Sequence, residues 1–332
     1  MDDIELGVLI PIGQSQWGQG IDPRELLDFA VRAEELGYSS LWVNDFLLTP
    51  RVEALTMLAA VAPLTSRVTL GTAALLPVLR RPVQAAQTLA SIDLLSGGRL
   101  VLTVGAAFPG RFGVPQHELS EVPWERRFTR LDETVALWRQ LWADPAGGGS
   151  FHGSLLRFEQ LPEMTAPSRP GGPPVWLGGA APAALDRTGR LYDGWLPYPP
   201  DPADYRAGLD RVRHSAAAAG RAGAVTPALF VSVRITDAPD GGRQAMSDYA
   251  AANYGLSLEG LQAIQALVAG PAEHVAGQLA RYLDAGARHL VCRIAAADLP
   301  AQHQQLGRLA ELLPALGRAQ PGTAQPEPAF PA

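Results

Sequence analysis

The sequence predicts an α/β protein with the fold class of a (β/α)8 TIM barrel, and three observations lead to it. Strand and helix patterns alternate eight times along the 332 residues. Residues 67–105 follow the order strand, loop, helix, turn and strand, which is a βαβ unit of a parallel sheet. A hydrophobic content of 47% is enough for one large core. Barrels of this class commonly reach this length as one domain.

The strand and helix positions follow from the period of the apolar residues. Each predicted strand is a short apolar run that ends in small or polar residues, and each predicted helix repeats apolar residues at helical spacing. The strands are predicted at 5–10, 39–43, 67–72, 99–104, 174–178, 193–196, 227–235 and 288–294. The helices are predicted at 23–36, 52–62, 82–95, 124–142, 182–190, 202–219, 271–285 and 301–315. Eight pairs with short turns favour a closed barrel over an open doubly wound sheet.

Three segments interrupt the alternation. Residues 143–172 are rich in glycine and proline, and we expect a short hairpin there, inserted before the fifth strand. Residues 237–269, after the seventh strand, are expected to hold a turn and one or two extra helices. We therefore expect a single domain over residues 1–316. The proline-rich residues 317–332 are expected to form a disordered tail.

Composition excludes several classes of function. The formal net charge is −6 and no basic stripe is present, which argues against nucleic-acid binding. All 27 basic residues are arginine, so lysine Schiff-base chemistry is excluded. Cys292 is the only cysteine, which suits a reducing cytoplasm, and no signal peptide or membrane span is predicted. The six histidines lack metal-ligand spacing, so no metal site is predicted.

The active site of such a barrel lies at the carboxyl ends of its strands. This rule selects a short set of positions along the chain. They are Gln14, Trp17, Asp45, Phe46, Ala73, Ala74, Arg80, Gly105, Phe108, Gly178, Gly179, Ala180 and Ala181, with His117 in the loop after the fourth strand. The clearest is the turn Gly178–Ala181, because Pro182 opens a helix directly after it. Free amides at a helix start can bind a phosphate without lysine, although a tight turn without ligand is an alternative.

Several motifs together resemble the bacterial luciferase-like superfamily of flavin-dependent and coenzyme F420-dependent oxidoreductases. The central signature is LGTAALLPVLRRP, followed by a helix and by LSGGRLVLTVG. Further matches, in the same order as in the family, are AEELGYSSLWVND at 33–45, RLDETVALWRQLW at 130–142, PPVWLGGAAPAAL at 173–185, YDGW at 192–195 and GPAEHVAGQLARYLDAGARHL at 270–290. The resemblance covers residues 4–316.

The resemblance implies an enzyme, and we expect a monooxygenase that uses reduced FMN and oxygen on a small organic substrate. A separate flavin reductase would supply the reduced FMN, since no dinucleotide fingerprint follows a strand. One alternative is hydride transfer with coenzyme F420 and without oxygen. A second alternative is a non-catalytic flavin-binding subunit. The resemblance also implies a cytoplasmic homodimer, for which the helix at 124–142 with Trp138 offers a contact surface.

The resemblance also assigns roles to residues, while the catalytic residue itself stays unknown. The cofactor phosphate would bind at Gly178–Ala181, and a non-prolyl cis peptide between Ala73 and Ala74 would contact the flavin ring. Phe46 stands where many relatives have a histidine, and phenylalanine cannot transfer a proton. Asp45 contacts the cofactor or, equally, holds a loop. The predicted cofactor contacts are Asp45, Ala73, Ala74, Gly105 and Gly178 to Ala181. The predicted substrate contacts are Trp17, Phe46, Arg80 and Phe108. The candidates for the chemistry are Asp45, Phe46, Gln14 and His117.

Overall fold

A computed structural model describes residues 4–108, 110–237 and 239–316. Its strands are β1 (Glu5–Leu9), β2 (Ser40–Val43), β3 (Thr69–Leu75), β4 (Leu100–Val104), β5 (Phe151–His152), β6 (Arg157–Phe158), β7 (Val175–Gly178), β8 (Gly194–Leu196), β9 (Thr226–Ile235), β10 (Leu267–Gly270) and β11 (His289–Ile294). Parallel pairing runs from β1 through β2, β3, β4, β7, β8, β9 and β11, and β11 pairs with β1 again. The eight-stranded parallel barrel predicted from the sequence is confirmed.

Helices surround the barrel and follow most of the predicted positions. They are α1 (Gln14–Trp17), α2 (Glu25–Glu35), α3 (Ala54–Val61), α4 (Pro82–Leu95), α5 (Val114–Leu119), α6 (Arg127–Ala143), α7 (Pro182–Leu191), α8 (Pro202–Ala218), α9 (Pro239–Tyr254), α10 (Leu258–Gln262), α11 (Ala272–Asp284), α12 (Leu299–Ala310) and α13 (Leu313–Leu316). The bounds of α4 agree with the prediction at both ends. The last predicted helix is two helices, because the chain turns between Ala310 and Leu313. No helix among the described residues is long and apolar enough to cross a membrane.

Both predicted insertions are present. Strands β5 and β6 form an antiparallel hairpin before β7, and α9 and α10 follow β9. Strand β10 was not predicted. It pairs with the second half of β9, from Ser232 onward, while β8 pairs with the beginning of β9 at Thr226. The proline-rich tail predicted at 317–332 lies outside the described residues.

The proposed contact surface on α6 is corrected by the structure. Trp138 and Trp142 are buried, and their indole nitrogens donate hydrogen bonds to Pro82 O (2.8 Å) and Ala86 O (3.2 Å) on α4. These tryptophans therefore attach α6 to α4 and are not available as a contact surface for a second subunit; the exposed aromatic side chain of α6 is Phe128. The homodimer itself stays a prediction.

The barrel interior is filled at mid-height by one side chain from each strand. Trp42 and Trp176 dominate this layer, with ring centroids 5.3 Å apart. Smaller residues from the other strands complete it, namely Leu9, Ala73, Val101, Leu196, Ala228 and Val291. Glycines face the two indoles: a Cβ at Gly71 would lie 2.2 Å from the Trp42 ring, and one at Gly194 would lie 2.4 Å from Trp176. The two rings fit inside the barrel because these strands carry no side chain there.

His289 lies at the amino-terminal end of this interior and is buried. Its Nε2 is 2.7 Å from Ser40 Oγ, and its Nδ1 is 3.4 Å from Glu5 Oε2. The Trp42 indole donates a hydrogen bond to the same serine oxygen (2.7 Å). Burial lowers the pKa of His289 to about 4, so the imidazole is neutral at pH 7.

We predict that Gly71→Ala destabilises the fold by about 1–3 kcal/mol, since the new methyl group overpacks the Trp42 ring. Trp42 cannot move aside, because Trp176 and His289 pack against it. Chemical denaturation measures the change in free energy of unfolding. Gly277→Ala in α11 is the matched control, since its Cβ meets no atom within 4 Å and alanine favours the helix. Equal stability of Gly71→Ala and wild type would contradict the packing.

We predict that His289 makes stability fall between pH 7 and pH 5. The unfolded chain binds a proton near pH 6.5, whereas the folded chain does so only near pH 4. Stability is therefore complete above pH 6.5 and decreases as the pH falls toward 4. The loss attributable to His289 should be about 2 kcal/mol at pH 5. Denaturation of wild type and His289→Gln at both pH values isolates this contribution, and parallel pH profiles would refute it.

Candidate active site

The carboxyl end of the barrel carries small and large residues beyond the tryptophan layer. Strand residues alternate between interior and exterior, so the next inward positions are two residues further along. On β2, β4, β7 and β11 these positions hold Asn44, Thr103, Gly178 and Arg293, and on β8 and β9 the same step leads to Tyr198 and Phe230. A Cβ at Gly105 would lie 3.8 Å from Ala74 Cβ and 4.0 Å from Leu76 Cδ2. Ala73, Ala74, Gly105 and Gly178 are partly exposed, so small residues border this end of the barrel.

The Ala73–Ala74 peptide bond is cis, as the resemblance implied. The register between β3 and β4 shifts at this point. Neighbouring strands hold the segment from both sides: Asp45 N donates to Ala74 O (3.2 Å), and Gly105 N donates to Leu75 O (2.9 Å). The cis peptide therefore lies at the carboxyl end of the barrel, between β2 and β4.

Asp45 holds the loop that follows this cis peptide. Its Oδ2 accepts hydrogen bonds from Leu76 N (3.0 Å) and from the Arg80 guanidinium, and its Oδ1 accepts from Arg80 Nη2 (3.1 Å). Arg80 also donates to Glu53 Oε1 (2.8 Å). Burial lowers the pKa of Arg80, but hydrogen bonds to the two carboxylates outweigh burial and raise it. Of the two roles left open for Asp45, the structure shows loop bonding.

Phe46 directly follows Asp45 in the chain, and its ring is half-buried. The Arg51 guanidinium stacks over it at 5.1 Å, and the Phe112 ring lies 6.4 Å away. The loop around Phe46 encloses a cavity of about 440 Å³ that Asp45, Arg51 and Ala54 also line. The side chain at the position of the family histidine therefore presents a flat apolar face and no proton donor or acceptor.

The Gly178–Ala181 turn connects β7 to α7 as predicted. Gly179 has φ +99°, a conformation that favours glycine, and its carbonyl accepts a hydrogen bond from Trp195 Nε1 (2.9 Å). Ala180 and Ala181 are exposed, and no side chain caps the start of α7. The amides at this helix start therefore face solvent, which is the arrangement that binds anions.

The other predicted residues are spread around the barrel end. Trp17 is buried and Gln14 is half-buried in the short helix α1. Phe108 is 48% exposed and packs against Tyr198 at 5.4 Å. The sequence predicted His117 in a loop after the fourth strand, and this position is wrong. It is buried inside α5, where its ring packs edge-on against Trp124 at 4.9 Å and Nδ1 lies 3.3 Å from Pro123 O.

Two arginines at this end were missed from the sequence. Arg293, on β11, is buried and donates from Nη1 to Tyr254 Oη and from Nη2 to Asn253 Oδ1, both at 2.9 Å. Arg51 lies in the loop after β2 and donates to Thr49 Oγ1 (2.8 Å). The only sequence signal was the charge of Arg293 inside the apolar run HLVCRIA, at an inward position of the strand.

Several buried polar atoms on the segments at the carboxyl end of the barrel have no partner among the described residues. They are Trp17 Nε1, Asn44 Oδ1, Thr103 Oγ1, Arg51 Nε and Arg293 Nε. An unpaired buried polar atom costs free energy, so such a group at a site is commonly satisfied by a ligand or by water. Together with the partly exposed small residues Ala73, Ala74 and Gly105, these atoms fit a flat ligand that carries polar edges.

Comparison with known proteins places the chain in a family. The luciferase-like monooxygenase family matches residues 4–312. The F420-dependent glucose-6-phosphate dehydrogenase of Amycolatopsis mediterranei (strain U-32) is 34% identical over 196 residues, which span 57% of this chain and 57% of that relative. The match thus covers only a little over half the length of this relative.

Solved structures support the fold alone. An F420-dependent secondary alcohol dehydrogenase in complex with an F420–acetone adduct has a TM-score of 0.80 and 20% identity, over 95% of this chain and 99% of that one. A monooxygenase from Streptomyces bottropensis has a TM-score of 0.76 and 21% identity, over 94% and 99%. The same barrel thus occurs with both chemistries, and the fold does not distinguish them.

These findings correct one expectation and establish another. The expected FMN-dependent monooxygenase is contradicted, because relatives that are 34% and 32% identical to this chain are named for coenzyme F420 and for dehydrogenation. FMN as the main cofactor is not supported either. The luciferase-like family match covers most of the chain, and the chain belongs to the luciferase-like monooxygenase family.

Proposed function

We propose that the protein is an oxidoreductase that uses coenzyme F420 to transfer hydride to or from a small organic substrate. The observation that carries the proposal is the cis Ala73–Ala74 bond at the carboxyl end of β3, beside the partly exposed Gly105. The relatives named for F420 support this coenzyme over FMN. When bound, the deazaflavin supplies two-electron hydride chemistry without oxygen.

Residues of this chain fit such a coenzyme. Ala74 and Gly105 would leave room for the flat ring system, because neither has a side chain beyond Cβ. The orphaned oxygens of Asn44 and Thr103 would pair with its polar edge. The exposed amides of the Gly178–Ala181 turn would bind its phosphate. Phe46 and Trp17 would keep water from the reacting carbon.

The residues after β2 limit how a proton can move. Phe46 has no titratable group, and both carboxylate oxygens of Asp45 are bonded to Arg80. Hydride transfer in this protein therefore proceeds without a histidine at the position that many relatives use. This departure is one reason why the sugar substrate of the dehydrogenase relatives does not carry over to this chain.

Coenzyme binding tests the proposed function directly. Titration of the purified protein with F420, followed by coenzyme fluorescence, should show saturable binding, and FMN under the same conditions should bind far more weakly. Anaerobic mixing of reduced or oxidised F420 with candidate alcohols and carbonyl compounds should then change the F420 absorbance. Binding of FMN but not F420 would overturn the proposal. Sedimentation or light scattering of the same samples tests the proposed homodimer.

We predict that Ala180→Asp weakens F420 binding by about tenfold, an effect of ~1.4 kcal/mol. The added carboxylate would repel a phosphate held by the amides of the turn. Ala180→Asn is the matched control, because it has the same shape without the charge. Ala180 is preferred to Gly179 for this test, since any side chain at φ +99° is strained and would confound the result. Equal F420 affinity of the two variants would refute the phosphate position.

A further inference from the structure

Two guanidinium groups at the carboxyl end of the barrel have no acidic partner. Among the residues that the structure describes, neither Arg51 nor Arg293 forms an ion pair with a carboxylate. The nearby carboxylates, Asp45 and Glu53, are both bonded to Arg80 instead. Three cations thus share two anions here, and the excess positive charge lies on Arg51 and Arg293.

The two arginines are held close to each other by the fold. Gly13 and Arg51 form an antiparallel bridge, and Val52 N donates to Ile12 O (3.0 Å), so the loop after β2 is anchored on the segment after β1. Strand β1 in turn pairs with β11, which carries Arg293 at an inward position. Burial and the positive charge of Arg293 lower the pKa of Arg51 to about 10, against the opposing effect of Asp45.

Neutral groups rather than anions surround Arg293. Its guanidinium lies 5.3 Å from the Tyr249 ring and 5.5 Å from the Tyr254 ring, and it donates to Asn253 and to the Tyr254 hydroxyl. Asn253 Oδ1 also accepts from Ser15 Oγ (3.0 Å), which fixes the amide from the other side. Nε of Arg293 is buried and has no partner among the described residues. A buried cation costs free energy unless an anion compensates it, and arginine does not lose its proton at neutral pH.

We propose that Arg51 and Arg293 form an anion subsite that binds a carboxylate or phosphate group of the substrate. The subsite deepens the proposed function, because it assigns an acidic substrate class to the same active site. Planar guanidinium groups suit both anions through paired hydrogen bonds. The unpartnered Nε atoms of both arginines provide donors for that purpose.

Inorganic phosphate without coenzyme is the probe that tests the subsite. The titration is done calorimetrically at constant ionic strength in the Ala180→Asp background, in which we expect phosphate binding at the Gly178–Ala181 turn to be weakened. We expect saturable binding of phosphate to this protein. Arg51→Gln and Arg293→Gln should each weaken it about tenfold or more, as the loss of hydrogen bonds to a charged group does. Arg293→Lys should retain part of the affinity.

Arg206→Gln is the matched control. Its guanidinium is exposed on the outside of the barrel and donates to Asp284 O (2.8 Å), so its loss should leave phosphate binding unchanged. Near-ultraviolet circular dichroism establishes that each variant is folded before titration. Absence of phosphate binding to the background protein would overturn the subsite. Binding that survives both arginine substitutions, or that falls equally in Arg206→Gln, would overturn it as well.

A second titration distinguishes the substrate from the coenzyme as the source of the anion. F420 affinity of Arg293→Gln should stay within about twofold of wild type if the subsite serves the substrate. A decrease as large as that for phosphate would overturn the assignment to the substrate and give the subsite to an anionic group of the coenzyme. Failure of wild type to bind F420 would refute the proposed function, while the phosphate titration would still decide on the subsite.

Discussion

The packing of Trp42 on Trp176 inside the barrel is the contact on which the site depends. Two indoles fill the interior at mid-height, and they fit only because Gly71 and Gly194 carry no side chain. The two rings fill the barrel interior, and His289 packs against both of them at the amino-terminal end.

Charge is distributed unevenly around the carboxyl end of the barrel. Arg80 is bonded to both Asp45 and Glu53 and so holds the loops after β2 and β3 together. Because both carboxylates are paired with Arg80, neither forms an ion pair with Arg51 or Arg293. Positive charge therefore accumulates on the side of β11, β1 and β2. The apolar ring of Phe46 lies between the two regions, stacked under Arg51.

Insertion helix α9 completes the wall on the β11 side. Its last residues supply Asn253 and Tyr254 to Arg293, and Arg111 from the loop after β4 donates to Gly255 O (3.1 Å) directly beyond the helix. Segments far apart in sequence thus meet at one point. The arrangement places an addition to the plain barrel next to Arg293, which belongs to the proposed anion subsite.

The sequence by itself determined the barrel, the bounds of α4, both insertions and the glycine turn at Gly178–Ala181, because these follow from local periodicity and from glycine and proline signals. The resemblance added the cis bond at Ala73–Ala74. Only the tertiary structure decided the rest. Trp138 is buried against α4, and His117 is buried against the turn that follows α5. Asp45 is bonded to Arg80, and Arg293 has no acidic partner among the described residues. Each of these depends on which side chains meet in the folded chain, and no local pattern encodes such meetings.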